Sequence, residues 1–134
     1  VAAGATVITP SAGVDVKGFD SCTFIAALGA IVAGAATSVE VHQSSDDGVA
    51  DAYSALLASK VTVADDQDNK LVFVEVTRPQ KRYLKLIVNR ATQNATLDGI
   101  VAILSGPQAA PPTHDSATVI SGSKLMHAPA EGTP

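Results

Sequence analysis

The fold is decided by Leu71-Val72-Phe73-Val74-Glu75-Val76 and, after a short polar segment, by Tyr83-Leu84-Lys85-Leu86-Ile87-Val88. Successive side chains of a β-strand point to opposite faces, so each run has two distinct faces. The first run places its three valines opposite Leu71, Phe73 and Glu75. The second places Leu84, Leu86 and Val88 opposite Tyr83, Lys85 and Ile87. Alternation of this kind predicts two β-strands.

Five further segments have the composition of short strands. They are rich in apolar and β-branched residues and are bounded by turn residues: Thr6–Ile8, Ser21–Val32, Ser38–His42, Val61–Ala64 and Gly99–Leu104. In Ser38–His42 the alternation directs Val39 and Val41 towards the core. Seven or eight strands at this short spacing predict an all-β fold, an antiparallel β-sandwich or jelly roll.

One segment between these strands has helical spacing. Its larger side chains recur every three or four positions, at Val49, Ala52, Tyr53, Leu56 and Leu57. Asp46 or Asp47 precedes them as a possible N-cap. The pattern predicts one short helix that crosses between the two sheets.

The chain changes character after Gly106. Residues 107–134 contain five of the seven prolines and only one short β-like patch, at residues 117–120. We therefore predict a β-sandwich domain over residues 1–106 and a Pro-rich, extended C-terminal arm over residues 107–134. Ordering such an arm costs roughly 1–2 kcal/mol per residue in conformational entropy, so contacts must hold it. A neighbouring subunit would supply these contacts, and packing on its own domain is the alternative.

Charged residues are scarce. They make up 16% of the 134 residues, against about 25% in ordinary soluble domains. Hydrophobic residues make up 46%, and most of them are small, with 23 Ala and 16 Val but no Trp. A surface with so few charges predicts contact with other protein. An Ala-rich monomeric domain is the alternative.

Composition also argues against several classes of partner. The net charge is −4 and the nine Lys and Arg are scattered, so no nucleic-acid partner is expected. The most apolar run, residues 24–36, is too short to span a bilayer, so no membrane partner is expected. The opening Val-Ala-Ala-Gly lacks the charged region of a signal peptide, and one Cys allows no internal disulfide. Both features predict assembly in a reducing cytoplasm.

No pattern of catalytic or metal-binding residues stands out. The three histidines, His42, His114 and His127, lack metal-ligand spacing, and Cys22 lies in an apolar strand where it behaves as a small hydrophobe. The acidic pair at residues 46–47 and the acidic loop at residues 65–69 could bind Ca²⁺ or simply form turns. We therefore predict a protein that is not an enzyme, with no catalytic residue, cofactor or bound metal.

Two groups of residues are candidates for binding a partner. The first is the basic connection Arg78-Pro79-Gln80-Lys81-Arg82, which we predict to be a hairpin loop at the end of the sandwich. Its three cations, Arg78, Lys81 and Arg82, could pair with acidic groups of a partner, although the pattern slightly favours a plain solvated turn. The second group comprises apolar residues of the arm: Pro111, Pro112, Val119, Ile120, Leu125 and Met126.

Several stretches together resemble a known family. They are Val39 to Gly48, Phe73 to Pro79, Arg82 to Leu86, Gly99 to Ile103 and Ser123 to Thr133. The ensemble is similar to the jelly-roll decoration, or cement, proteins encoded beside the capsid genes of tailed bacteriophages. The resemblance covers most of the chain but contains no catalytic motif. It transfers no binding residue to a particular position.

The resemblance implies a structural virion protein. Such a protein is assembled in the host cytoplasm, binds the outer surface of the phage head and bridges neighbouring major capsid proteins. A homo-dimer or homo-trimer would be the economical geometry on a symmetric shell. Two alternatives stay open: a carbohydrate-binding jelly roll that recognises a receptor, for which Tyr53 and Tyr83 are the candidate platforms, and a small hydrolase with an unfamiliar site.

Overall fold

The computed structural model describes residues 1–109, and every regular element in this range is a β-strand. The strands are β1 Val14–Asp15, β2 Phe19–Ile31, β3 Ala36–Ser44, β4 Ser54–Ala55, β5 Val61–Val63, β6 Leu71–Thr77, β7 Tyr83–Ala91 and β8 Ala95–Pro107. The predicted arm and its candidate residues Pro111, Pro112, Val119, Ile120, Leu125 and Met126 therefore lie outside the described residues, apart from the first positions after Gly106.

The strands form two antiparallel sheets packed as a sandwich, which confirms the all-β antiparallel sandwich of the predicted fold. The larger sheet has the order β1-β7-β3-β4, and β5 also pairs with β3. The smaller sheet has the order β6-β2-β8. The core between them is built from Phe24 and Leu28 of β2, the predicted Val39 and Val41 of β3, and the alternating Leu84, Leu86 and Val88 of β7.

The predicted helix is wrong. Residues 49–57 form turns and the short strand β4, which pairs with His42 and Gln43 of β3. Asp47 and Gly48 have φ values of +61° and +83°, in the left-handed region where no right-handed helix can begin. The Asp46 carboxylate accepts the backbone N–H groups of Val49, Ala50 and Asp51, so the capping residue closes a loop instead.

The predicted hairpin between the two deciding runs is also wrong. β6 pairs with β2, and β7 pairs with β3, so residues 78–82 carry the chain from one sheet to the other. Arg78 has a φ of +49°, and its N–H donates to the carbonyl oxygen of Asp20 at 2.7 Å. The chain thereby leaves the plane of the small sheet and does not fold back along β6.

The N-terminal residues lie along the free edge of β7. Ile8 pairs with Val88 and Gly4 pairs with Ala95, in isolated bridges. The strand predicted at Thr6–Ile8 is thus reduced to one bridge. Farther along, β1 continues the same edge beside Tyr83 and Leu84. This segment closes one side of the sandwich between β7 and the start of β8.

Candidate protein-contact surface

The outer face of the three-stranded sheet is apolar and uncovered by any described residue. Strand register sets its side chains in rows across β6, β2 and β8. One row is Leu71, Ala27 and Gly99, and the next is Phe73, Ile25 and Val101. The fractional exposure is 69% for both Leu71 and Phe73 and 59% for Val101. We call this surface, formed by the two rows together with Ile103, the outer face.

Polar residues lie around the outer face and hardly enter it. The third row is Glu75, Thr23 and Ile103, and Ile103 is 48% exposed. The fourth row is Thr77, Ser21 and Ser105, where the two serine hydroxyls are hydrogen bonded. Glu75 is the one charged side chain in these four rows. A contiguous apolar patch with a polar rim is the usual signature of a protein interface.

The opposite face of the sandwich, on the larger sheet, carries polar side chains that are held by contacts within the chain. Lys85 is only 8% exposed, because its ammonium lies over the ring of Tyr53 at 4.0 Å and donates to the carbonyl oxygen of Ser11 at 3.2 Å. His42 lies beside Glu40 with a ring nitrogen 2.9 Å from the carboxylate. This hydrogen bond lowers the pKa of Glu40. This face is therefore polar and partly covered by the chain itself.

The predicted basic docking loop is largely engaged within the chain. Lys81 donates to the Asp51 carboxylate at 2.7 and 3.0 Å. Arg82 donates to both carboxylate oxygens of Asp15, at 3.0 and 2.6 Å. Among residues 1–109, Arg78 is exposed and forms no ion pair. Among the described residues, this connection therefore presents one cation without an ion pair, where the sequence suggested three.

The acidic loop at residues 65–69 caps the strands beside it. Asp65 accepts the N–H of Gly34 and Asp68 accepts the N–H of Ile31, each at 2.6 Å. These bonds hold the connection between β5 and β6 against the end of β2. Within the described range, no three His, Cys, Asp or Glu side chains are grouped to hold a metal ion.

The remaining candidate side chains are packed. Cys22 is fully buried in the core, as its apolar strand predicted, and burial raises the pKa of its thiol to about 11. The hydroxyl of Tyr53 donates to Asp47. The ring of Tyr83 lies 5.1 Å from the guanidinium of Arg82. Both tyrosines are half-buried, so neither is the exposed platform that a sugar would stack on.

The sequence contained only part of the signal for the outer face. Alternation placed Leu71 and Phe73 on one side of their strand, but it did not show that Val101 and Ile103 lie on the same surface. The chain order separates these segments by about 30 residues, and only the pairing through β2 joins them.

Comparison with known proteins found no match, whether to a protein-family model, a curated protein or a solved structure. In the described part of the chain, no helix has the length and apolar character needed to cross a membrane. The outer face is thus the feature from which a function can be inferred.

Proposed function

We propose that this chain is a non-enzymatic structural protein of a tailed-phage virion, a decoration protein on the exterior of the head. It bridges neighbouring major capsid proteins and stabilises the assembled shell. The observation that carries this proposal is the outer face, a charge-poor apolar surface through which the chain contacts other protein of the shell. The family resemblance supplies the identity of the assembly.

The size of the outer face suits a component that works in many copies. Fully burying a large apolar side chain contributes about 1.5–3 kcal/mol. Between 48% and 69% of the surface is still exposed on each of four such residues, Leu71, Phe73, Val101 and Ile103. The sum of these contributions is comparable to the cost of association, which is about 4–15 kcal/mol. One contact is therefore weak, whereas repeated contacts across a shell add up.

Stabilisation follows from mass action. A subunit that binds the assembled lattice, and not its dissociated parts, shifts the equilibrium towards the lattice by its binding free energy. Such a protein needs no catalytic group. It needs a rigid scaffold that holds an apolar surface open, and the two-sheet sandwich is such a scaffold.

The jelly-roll form of the sandwich belongs to the same proposal. From β2 onwards the long strands alternate between the sheets, with β2, β6 and β8 in the small sheet and β3 and β7 in the large one. The pairs β2–β8 and β3–β7 are nested in chain order. Nested antiparallel pairs in two facing sheets support a jelly roll.

Co-sedimentation tests the proposal directly. Undecorated heads, assembled from a major capsid protein encoded in the same genome as this chain, are mixed with the purified full-length protein and pelleted. We expect saturable binding and greater resistance of the heads to heat. Phe73→Lys should reduce binding at least tenfold, because it places a charge in the contact surface.

The matched control is Leu57→Lys. Leu57 is 99% exposed but lies in the connection between β4 and β5, away from the outer face. It should bind heads like the unaltered protein. Absence of binding by the unaltered protein, or equal loss in both variants, would refute the proposal.

A further inference from the structure

We propose that a second copy of this chain packs on the outer face, with the two small sheets face to face about a two-fold axis parallel to β2. The inference rests on the proposed function and deepens it, because it names a second copy of this chain as the shell protein in direct contact with the outer face. It concerns the free protein, however, and needs no phage head to be tested.

The shape of the outer face is self-complementary. Its β6 margin is raised, because Leu71 and Phe73 project there with 69% of each side chain exposed. Its β8 margin is low, because Gly99 occupies the row of Leu71 and Val101 occupies the row of Phe73. A Cβ built at Gly99 meets no atom within 4 Å, so the position is an open notch in the surface.

The direction of the two-fold axis follows from this shape. Rotation about an axis parallel to β2 places β6 of each copy over β8 of the other and keeps the rows in step. Leu71 of each copy then enters the Gly99 notch of its partner, and Phe73 packs on Val101. Rotation about the in-plane axis perpendicular to β2 would place bulky β6 on bulky β6, and would leave the notches empty.

The one charge within the four rows fits the same arrangement. Glu75 is the one charged side chain in the four rows, and it lies on the β6 margin beside Thr23. With the axis parallel to β2, the two Glu75 carboxylates lie on opposite sides of the interface and do not face each other. Asp98 lies just beyond the first row, with its carboxylate 3.0 Å from the position of a Cβ at Gly29 of β2. The two Asp98 carboxylates therefore approach each other near the axis, and this like-charge contact limits the affinity.

The area sets the expected affinity. Three strands about 4.8 Å apart, over rows spanning about 20 Å, give a footprint of roughly 300 Å². Standard interfaces bury about 800 Å² on each partner. We therefore expect a reversible dimer with a Kd on the order of tens to one or two hundred micromolar, and not an obligate one.

Sedimentation velocity of the full-length chain between about 5 and 500 µM tests the inference. The unaltered protein should shift from monomer to dimer across this range. Leu71→Lys and Gly99→Glu should each leave it monomeric at all these concentrations. The double variant L71K/G99E should dimerise again, because the two-fold axis brings each new lysine to a new glutamate of the partner.

Folding is checked separately by thermal melting. Both substitutions are made at exposed or open positions, so the melting temperature should stay within about 3 °C of the unaltered protein. Leu57→Lys, at an equally apolar but distant position, should dimerise normally. A double variant that stays monomeric while its melting temperature is unchanged overturns the two-fold arrangement.

Other occupants of the outer face give other results. A chain that is monomeric at 500 µM but binds heads overturns the dimer and leaves the proposed function standing. A chain that dimerises but binds no heads overturns the proposed function and leaves the dimer standing. If the full-length chain is monomeric and a chain ending at Ala109 dimerises, the C-terminal segment occupies the face and the inference fails.

Discussion

Arg90 donates from Nη1 to the main-chain carbonyl oxygen of Ala95 over 2.7 Å, in a buried hydrogen bond. The same guanidinium donates to the carbonyl oxygens of Ala2 at 3.0 Å and Thr6 at 2.9 Å. Within residues 1–109, no carboxylate forms an ion pair with it. One buried cation thus joins β7 and the start of β8 to the N-terminal segment.

Replacement of this arginine should destabilise the protein strongly. Arg90→Ala removes three hydrogen bonds from a charged donor that is only 5% exposed, and such bonds contribute about 1.5–3 kcal/mol each before local relaxation. We expect the free energy of unfolding, measured by urea denaturation, to fall by about 3 kcal/mol or more. Arg78→Ala, at an exposed arginine, should change it by less than about 0.5 kcal/mol.

The effect should be coupled to the N-terminal segment. Ala2 and Thr6 supply two of the three carbonyl oxygens that accept hydrogen bonds from Arg90. A chain that begins at Val7 therefore lacks both of these hydrogen bonds. Arg90→Ala should therefore cost less in that shortened chain than in the full one. Equal costs in the two backgrounds would show that Arg90 stabilises the fold in some other way.

Gly13 is packed too closely to accept a side chain without a loss of stability. A Cβ at this position would overlap the hydroxyl of Tyr53 and lie 2.9 Å from the Asp47 carboxylate, which accepts the N–H of Gly13 at 2.7 Å. Gly13→Ala should cost about 1–3 kcal/mol of stability through overpacking, measured as a lower urea midpoint. Gly99→Ala is the matched control, because its Cβ would meet open space, and no loss is expected there.

Local pattern predicted the strands because each strand's alternation is contained in a few neighbouring residues. Val39 and Val41 face the core as expected, and the alternation in β7 separates the buried Leu84, Leu86 and Val88 from the other side of the strand. The helix prediction failed because an aspartate before helically spaced apolar residues can cap a helix, by accepting N–H groups two or three residues later, or close a loop, as Asp46 does by accepting those of residues 49–51. Only tertiary contact separates the two, and here Val49 and Leu57 remain 87% and 99% exposed.

Which strands pair with each other was less predictable than where the strands lie in the sequence. A tight polar connection between two strands favours a hairpin, yet β6 and β7 pair with strands that precede them by about 50 residues. For the same reason the outer face was not foreseen. Each of its rows takes residues from three separated segments, and the row of Ile25, Phe73 and Val101 exists only because β2 lies between the other two strands.

Acid should destabilise the loop at residues 44–51 in a defined pH window. Hydrogen bonds from Lys81 and then from Ser45 lower the pKa of Asp51 from 3.8 to about 2. A depressed carboxyl pKa contributes stability that is fully present above pH 4 and is lost as the pH falls towards 2. Urea midpoints measured between pH 6 and pH 2 should therefore decline over this window.

Asp51→Asn isolates this contribution. The variant should be less stable than the unaltered protein at pH 6, and the difference should shrink towards pH 2, where Asp51 itself becomes protonated. Asp66→Asn, at an exposed carboxylate, serves as the control and should track the unaltered protein throughout. A difference between Asp51→Asn and the unaltered protein that is independent of pH would contradict the assignment.

The thiol of Cys22 should report on opening of the sandwich. It is fully buried between Val76 and Leu104 of the neighbouring strands, and its pKa of about 11 leaves almost no thiolate at pH 8. We expect a disulfide reagent to modify it only as fast as the core opens, so urea should accelerate the reaction. Val49→Cys in a Cys22→Ala background should react at once, because Val49 is 87% exposed. Equal rates for the two thiols in the absence of urea would mean that the small sheet separates from the core in the native state, and the outer face could not then be a fixed surface.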